Sequence, residues 1–101
     1  MITITHQKGC ITIKGHAGYA PHGQDIVCAA VSTLLQVLVL SLNDLTDDEI
    51  IADLRPGESI IEYNQLSEAG KLLIESFLLG VGAISEAYPD NVSVEKPPKL
   101  W

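Results

Sequence analysis

The chain predicts an α+β fold: a two-layer sandwich in which one mostly antiparallel sheet carries two helices on one face, in the order β-β-α-β-β-α-β. Two observations predict it. Segments that alternate apolar and polar residues come in two pairs, each around a turn, with one short segment left at the end. Two long apolar stretches of helical character separate them. The frame is one domain, residues 1–101, with 47% apolar and 19% charged residues, as in a compact globular protein.

Met1 to Thr5 places Ile2 and Ile4 on one side and Thr3 and Thr5 on the other. Gln7-Lys8-Gly9 reads as a turn, and Cys10 to Lys14 alternates again, with Ile11 and Ile13 on one face. Cys10 falls on the opposite face and has no activating neighbour, so it reads as a small unreactive strand residue. Gly15 to Gly23 is a loop freed at both ends and in the middle by Gly15, Gly18 and Gly23, a plausible mobile flap.

Asp25 to Leu42 reads as the core helix. From Ile26 to Leu42 there is no charge, and twelve of the seventeen residues are Ile, Val, Leu or Ala. A helix apolar on nearly every side is expected to be buried on nearly every side, against the sheet and against a second helix or a second subunit. A membrane span is not expected: Ser32, Thr33, Gln36 and Ser41 interrupt the run, it is short, and Asp44, Asp47 and Asp48 follow it. Ser32, one turn beyond Cys28, is expected to bond back to the Cys28 carbonyl.

Asn43-Asp44 ends that helix. Asp47, Asp48 and Glu49 read as a solvated loop, and they lack the spacing of a metal site. Ile50 to Leu54 and Ser59 to Tyr63 read as strands around the strong turn signal Arg55-Pro56-Gly57-Glu58. Glu62 reads as a surface residue. Ser67 to Tyr88 is the second helix, with Ser67 as its N-cap, a core stripe of Leu73, Phe77, Gly80, Ile84 and Ala87, and Gly80 and Gly82 allowing close approach of the first helix. Pro89-Asp90-Asn91 breaks it, Val92 to Val94 is a last strand, and residues 95–101, with Pro97-Pro98, read as a loose tail.

Composition excludes several roles. A net charge of −7 and a pI near 4.6 argue against direct nucleic-acid binding and suit a basic protein or peptide partner. Two cysteines give no disulfide framework, and neither sits in a zinc-ligand spacing. The opening MITITHQKG alternates like a strand and does not read as a secretory leader, so a cytoplasmic protein with reduced thiols is expected.

The chemistry concentrates in Gly15 to Ser32, GHAGYAPHGQDIVCAAVS, which holds two of the three histidines. If Asp25 caps the helix, Cys28 lies in its first turn, where free amides and the macrodipole favour a thiolate. A histidine sharing its proton would complete a cysteine–histidine nucleophile pair. His16 and His22 both qualify as the base. An unbroken strand would point His16 with Cys10 and Thr12, away from the helix layer. It meets Cys28 only if Gly15 ends the pleat. First-turn amides are candidate oxyanion donors, and an aromatic-binding groove is expected near Tyr19 and Ala20.

Gly15-His16-Ala17, then Gly23, then Asp25-Ile26-Val27-Cys28-Ala29-Ala30-Val31-Ser32 resembles the ribosomal-processing cysteine proteases called Prp. The likeness spans nearly the whole chain and includes the Ala-Tyr-Pro that ends the second helix. Only the acidic stretch from Asp47 to Glu49 and the tail from Lys96 to Trp101 match no signature. The resemblance implies His16 and Cys28 as the catalytic pair, with Asp25 and Ser32 in support. It implies a moving substrate loop, here Gly15, Gly18, Tyr19, Ala20, His22 and Gly23, and a homodimer; on the residues themselves neither a metal nor a cofactor is expected. The implied substrate is the N-terminal extension of a large-subunit ribosomal protein, cut beside a phenylalanine pair, or a capsid or scaffold protein where such a protease serves a phage. Two other classes fit the residues without the resemblance: a non-catalytic dimeric peptide-binding module and a redox-sensing thiol protein.

Overall fold

The computed structural model describes all 101 residues. Its elements are β1 (Ile2–Gln7), β2 (Cys10–Lys14), α1 (Ile26–Leu45), β3 (Ile50–Arg55), β4 (Glu58–Tyr63), α2 (Glu68–Ala87) and β5 (Val92–Glu95). They form one sheet in the order β3-β4-β2-β1-β5, antiparallel except where β5 runs parallel to β1 at the edge. This is the expected α+β order, with both helices on one face.

The strand period sets that face. Ile4 pairs with Ile13 and His6 with Ile11, while Ile11 and Ile13 pair on their other side with Ile61 and Ser59. Since residues directly opposite share a face, all six point into the core, where all are buried. Thr5, Thr12, Cys10 and Glu62 take the open face. Burial there, and then the Glu62 charge, push the Cys10 thiol up, which keeps it protonated and sluggish.

α1 presents Val27, Val31, Leu35, Leu38 and Leu42 to the sheet, at helical spacing. α2 presents Ile74, Phe77, Leu78 and Val81. Each fully buried aliphatic side chain in this layer stabilises the fold by about 2–3 kcal/mol. The helices meet where Gly80 faces Leu34: a Cβ at Gly80 would stand 3.0 Å from Leu34 Cδ1, whereas one at Gly82 would touch nothing. Close approach thus needs Gly80 and not Gly82.

Several expectations change. α1 runs three residues further, to Leu45, which makes it long and apolar enough to cross a membrane by length and composition. It lies against the sheet instead, and only one side of it is buried. Ile26, Val37 and Leu40 are 57%, 52% and 59% exposed, so the apolar surface of α1 exceeds what this chain alone covers. Asp48 is more than a solvated acid. It accepts the Ser67 backbone N–H (2.9 Å) and hydroxyl (2.8 Å), while Ser67 Oγ caps α2 through the Gly70 N–H. β1 extends to Gln7, which carries His6 into the core. There it shares a 2.7 Å hydrogen bond with the Tyr63 hydroxyl, and its Nδ1 has no partner. The tail, expected to be loose, lies on the body: the Trp101 ring packs edge-on against His6 at 5.5 Å, under Lys71, with its Nε1–H directed to Glu75.

Candidate active site

The site starts where β2 stops. Gly15 takes φ +94°, a conformation L side chains rarely adopt, and a Cβ there would run into the Met1 carbonyl. Its N–H donates to the Gly57 carbonyl at 2.9 Å. This bend ends the pleat at Lys14, so His16 leaves the open face of the sheet and reaches the start of α1.

There a cavity of about 540 Å³ lies between the loop and the helix, lined by His16, Gly18, Ala20, His22, Gly23, Asp25, Cys28, Ala29 and Ser32. Of the residues singled out in the sequence, only Gly15 and Tyr19 stand outside its walls. Gly15 makes the bend. Tyr19 turns its ring onto Tyr88, edge to face at 5.3 Å, and contributes through its backbone.

Asp25 is the organising residue. It takes extended backbone ahead of α1, and its Oδ1 accepts the N–H groups of Val27 and Cys28, both at 3.0 Å. Its Oδ2 accepts those of Tyr19 (2.9 Å) and Ala20 (3.2 Å). One carboxylate therefore caps the helix and closes the loop onto it. The Cys28 amide above all, against some burial, and then the amides of Ala20, Tyr19 and Val27 hold the Asp25 carboxyl below the usual carboxylate range.

Cys28 Sγ accepts a hydrogen bond from the Ala17 N–H at 3.3 Å. Ala17 is buried, and its carbonyl accepts the Asn91 side-chain amide at 2.9 Å, so the donor is anchored from the far end of the chain. His16 shares the cavity with Cys28 without a hydrogen bond to it. Its ring lies over Gly57, in the turn between β3 and β4: a Cβ on Gly57 would stand 2.8 Å from His16 Nε2. His22 also faces the cavity, on the loop.

Two local expectations are corrected. Of the first-turn amides expected as oxyanion donors, those of Val27 and Cys28 are taken by the Asp25 side chain and that of Ala29 by the Asp25 carbonyl, which narrows the expectation to the Ile26 N–H. Ser32 does not bond back to the Cys28 carbonyl. Thr33 makes the equivalent bond, to Ala29, and Ser32 faces the cavity exposed. Sequence reasoning also missed Ala17, Asn91 and Gly57. Ala17 acts through its backbone, Asn91 reads only as a helix breaker, and Gly57 reads only as a turn former.

This arrangement offers a nucleophile at a helix N-terminus, a titratable ring on the same cavity and a carboxylate fixing the loop between them, which suits covalent acyl transfer. Comparison with known proteins agrees. The family model for cysteine protease Prp matches residues 1–93. The ribosomal processing cysteine protease Prp of Bacillus subtilis is 28% identical over 99 residues, covering 89% of this chain and 88% of that protein. The crystal structure of the Prp protease from Staphylococcus aureus with a covalently linked product peptide matches with a TM-score of 0.89 at 25% identity, over 96% of this chain and 100% of that one. The structure of SMU.848 from Streptococcus mutans matches with a TM-score of 0.73 at 34% identity, over 94% and 90%. With a family match that spans both helices and all but the end of the last strand, the chain belongs to the cysteine protease Prp family.

Proposed function

We propose that this chain is the endopeptidase that removes the N-terminal extension of a large-subunit ribosomal protein, with Cys28 and His16 as its catalytic dyad. The observation that carries the reading is the placement of Cys28 in the first turn of α1, in one cavity with His16, behind a loop tied down by Asp25. The relative from Staphylococcus aureus is described in complex with a substrate peptide and with a covalently linked product peptide.

In this mechanism His16 takes the Cys28 proton, and the thiolate sulfur forms a bond to the scissile carbonyl carbon. The carbon–nitrogen bond breaks as His16 returns the proton to the departing amine. Water then hydrolyses the thioester, releasing the extension and restoring the thiol. For this the imidazole comes within hydrogen-bond reach of Sγ while its Nε2 edge stays against Gly57, a contact to sulfur that often forms only once substrate is bound. The Ala17 N–H steadies the sulfur, Asp25 sets loop and helix against each other, and Ser32 supports the site from the cavity wall. The cavity has room for an aromatic ring, in keeping with cleavage beside a phenylalanine pair.

Other features support the wider reading. A chain with net charge −7 attracts a basic ribosomal protein and repels nucleic acid. The exposed apolar side of α1, with Ile26, Val37 and Leu40, favours a homodimer in which a second copy covers it. Free cysteines suit the cytoplasm, where ribosomal proteins are made.

The test is to incubate the protein, and a Cys28→Ala control, with the extended ribosomal protein and to read the new N-terminus by mass spectrometry. Wild type produces the shortened protein and Cys28→Ala produces none, with an unchanged circular dichroism spectrum. Cleavage by Cys28→Ala would end the reading. Iodoacetamide separates the two other classes: a binding module leaves Cys28 slow to react below neutral pH, and a redox sensor oxidises reversibly without peptide turnover.

A further inference from the structure

We infer that Gly57, in the turn between β3 and β4, is a positioning residue for His16, and that the bare Cα of this glycine is the seat on which the imidazole is held in the cavity it shares with Cys28. The inference rests on the dyad reading above and extends it to a turn that nothing in the active-site loop specifies.

Three observations meet at Gly57. The first is contact. A Cβ built there would stand 2.8, 3.2 and 3.6 Å from His16 Nε2, Cε1 and Cδ2. The ring therefore lies where any other residue would put its side chain. The second is linkage. The Gly57 carbonyl accepts the Gly15 N–H at 2.9 Å, one residue before His16, so this turn holds both the backbone entering His16 and the ring.

The third is the turn itself. Arg55 pairs with Glu58, leaving the two-residue loop Pro56-Gly57, with Gly57 at φ +77°. Proline fixes a negative φ at the first position, so this is the type II pattern. Two-residue hairpins prefer types I′ and II′, whose twist matches the strands; type II splays them. The turn itself calls for glycine at this position, and the bare Cα it leaves is where the His16 ring sits.

A Cβ at Gly57 would meet only the far end of a flexible side chain, so the ring is what moves. Displacement of a catalytic group by about 1 Å costs about 100-fold in rate. The expected loss falls on kcat, because Gly57 does not line the cavity where the peptide binds.

The test uses Gly57→Asn, since asparagine tolerates positive φ and preserves the turn while adding a Cβ under the ring. Pro56→Ala is the control that alters the turn and adds nothing there. Two rates are measured, in wild type and in the His16→Ala background: cleavage of a peptide carrying the phenylalanine pair, and alkylation of Cys28 by iodoacetamide at about pH 6, followed by mass spectrometry. Gly57→Asn is expected to lower kcat by about 100-fold with KM within about twofold, to slow alkylation to the rate of His16→Ala, and to change neither rate further in the His16→Ala background. Pro56→Ala is expected to leave kcat within about twofold of wild type. Wild-type kcat and alkylation in Gly57→Asn would overturn the seat and leave the dyad standing. So would an equal slowing of alkylation in both backgrounds, or a Pro56→Ala loss as large as that of Gly57→Asn. If wild type and His16→Ala alkylate and cleave alike, the dyad itself fails and the seat falls with it.

Discussion

The two helices begin in similar ways and to different ends. Both N-termini are organised by an aspartate. At α1, Asp25 is itself the cap and divides its two oxygens between two helix amides and two loop amides. At α2, the cap is Ser67, and Asp48 holds Ser67 from outside through its amide and hydroxyl. Each N-terminus borders a cavity, but the one by Asp48 is lined by Asp47, Glu49, Asn64, Gln65, Leu66 and Ser67 and contains neither thiol nor imidazole. The difference teaches that a capped helix end is not a site. α1 becomes one because the bend at Gly15 brings a strand end to it, carrying the Ala17 amide to Cys28 and His16 to the same wall.

That contrast breaks most sharply at Asp25. Asp25→Ala removes four hydrogen bonds at once, so loop and helix lose their common anchor and peptide cleavage falls by about 100-fold. Steady-state kinetics measure this, and activity near wild type would reduce Asp25 to the level of Asp48. Asp25→Asn divides the two roles. Asparagine still caps a helix, so Val27 and Cys28 keep an acceptor, but its NH2 group faces the Tyr19 and Ala20 amides as a second donor. The loop is released while the helix holds. Cleavage is expected to fall by about tenfold, with hydrogen exchange accelerated at Tyr19 and Ala20 and unchanged at Leu35 and Leu38.

The matching change at the other helix acts on stability alone. Asp48→Ala removes the two bonds to Ser67 and is expected to destabilise the fold by about 1–2 kcal/mol, seen as a lower Tm. Its kcat/KM stays within about twofold of wild type, because the two N-termini share no residues. A large loss of activity in Asp48→Ala would mean that the two ends communicate, which no bond between them suggests.

How far these differences were legible depends on whether the deciding group is a side chain. The order of elements, the Ser67 cap and the Asp25 cap follow from residue types at fixed offsets, and the structure has them all. The bend at Gly15 was legible as a requirement, since alternation alone would have sent His16 to the wrong face. The second half of the Asp25 role was not, because the partners are the backbone amides of Tyr19 and Ala20, and any residue but proline supplies one. The same holds for Ala17 and its bond to sulfur. The Asp48–Ser67 and Ala17–Asn91 pairs span 19 and 74 positions, and only the folded sheet brings them together. His6 falls between the strand read over Met1 to Thr5 and the turn read from Gln7, and two more residues of strand place it in the core.

The smallest effect expected is the one that acid has on the caps. Amides hold both carboxyls below their ordinary value of 3.8, the Cys28 amide leading at Asp25 and the Ser67 amide at Asp48. A carboxyl depressed in the folded state contributes stability that is fully present above its unfolded value and is lost as pH falls through the folded one. Between pH about 8 and about 5 neither cap should change, and the Tyr19, Ala20 and Ser67 amides should keep constant hydrogen-exchange protection factors. His6 moves earlier. Burial, and then the Lys96 charge, lower its basicity, so the unfolded chain takes up a proton first and stability declines as pH drops below the ordinary 6.5. His6→Gln should therefore flatten the Tm profile between pH about 7 and about 5 and leave its steeper fall below pH about 4 in place. Loss of amide protection at Tyr19 and Ala20 between pH about 8 and about 5 would show that the loop is tied to a group other than the Asp25 carboxylate.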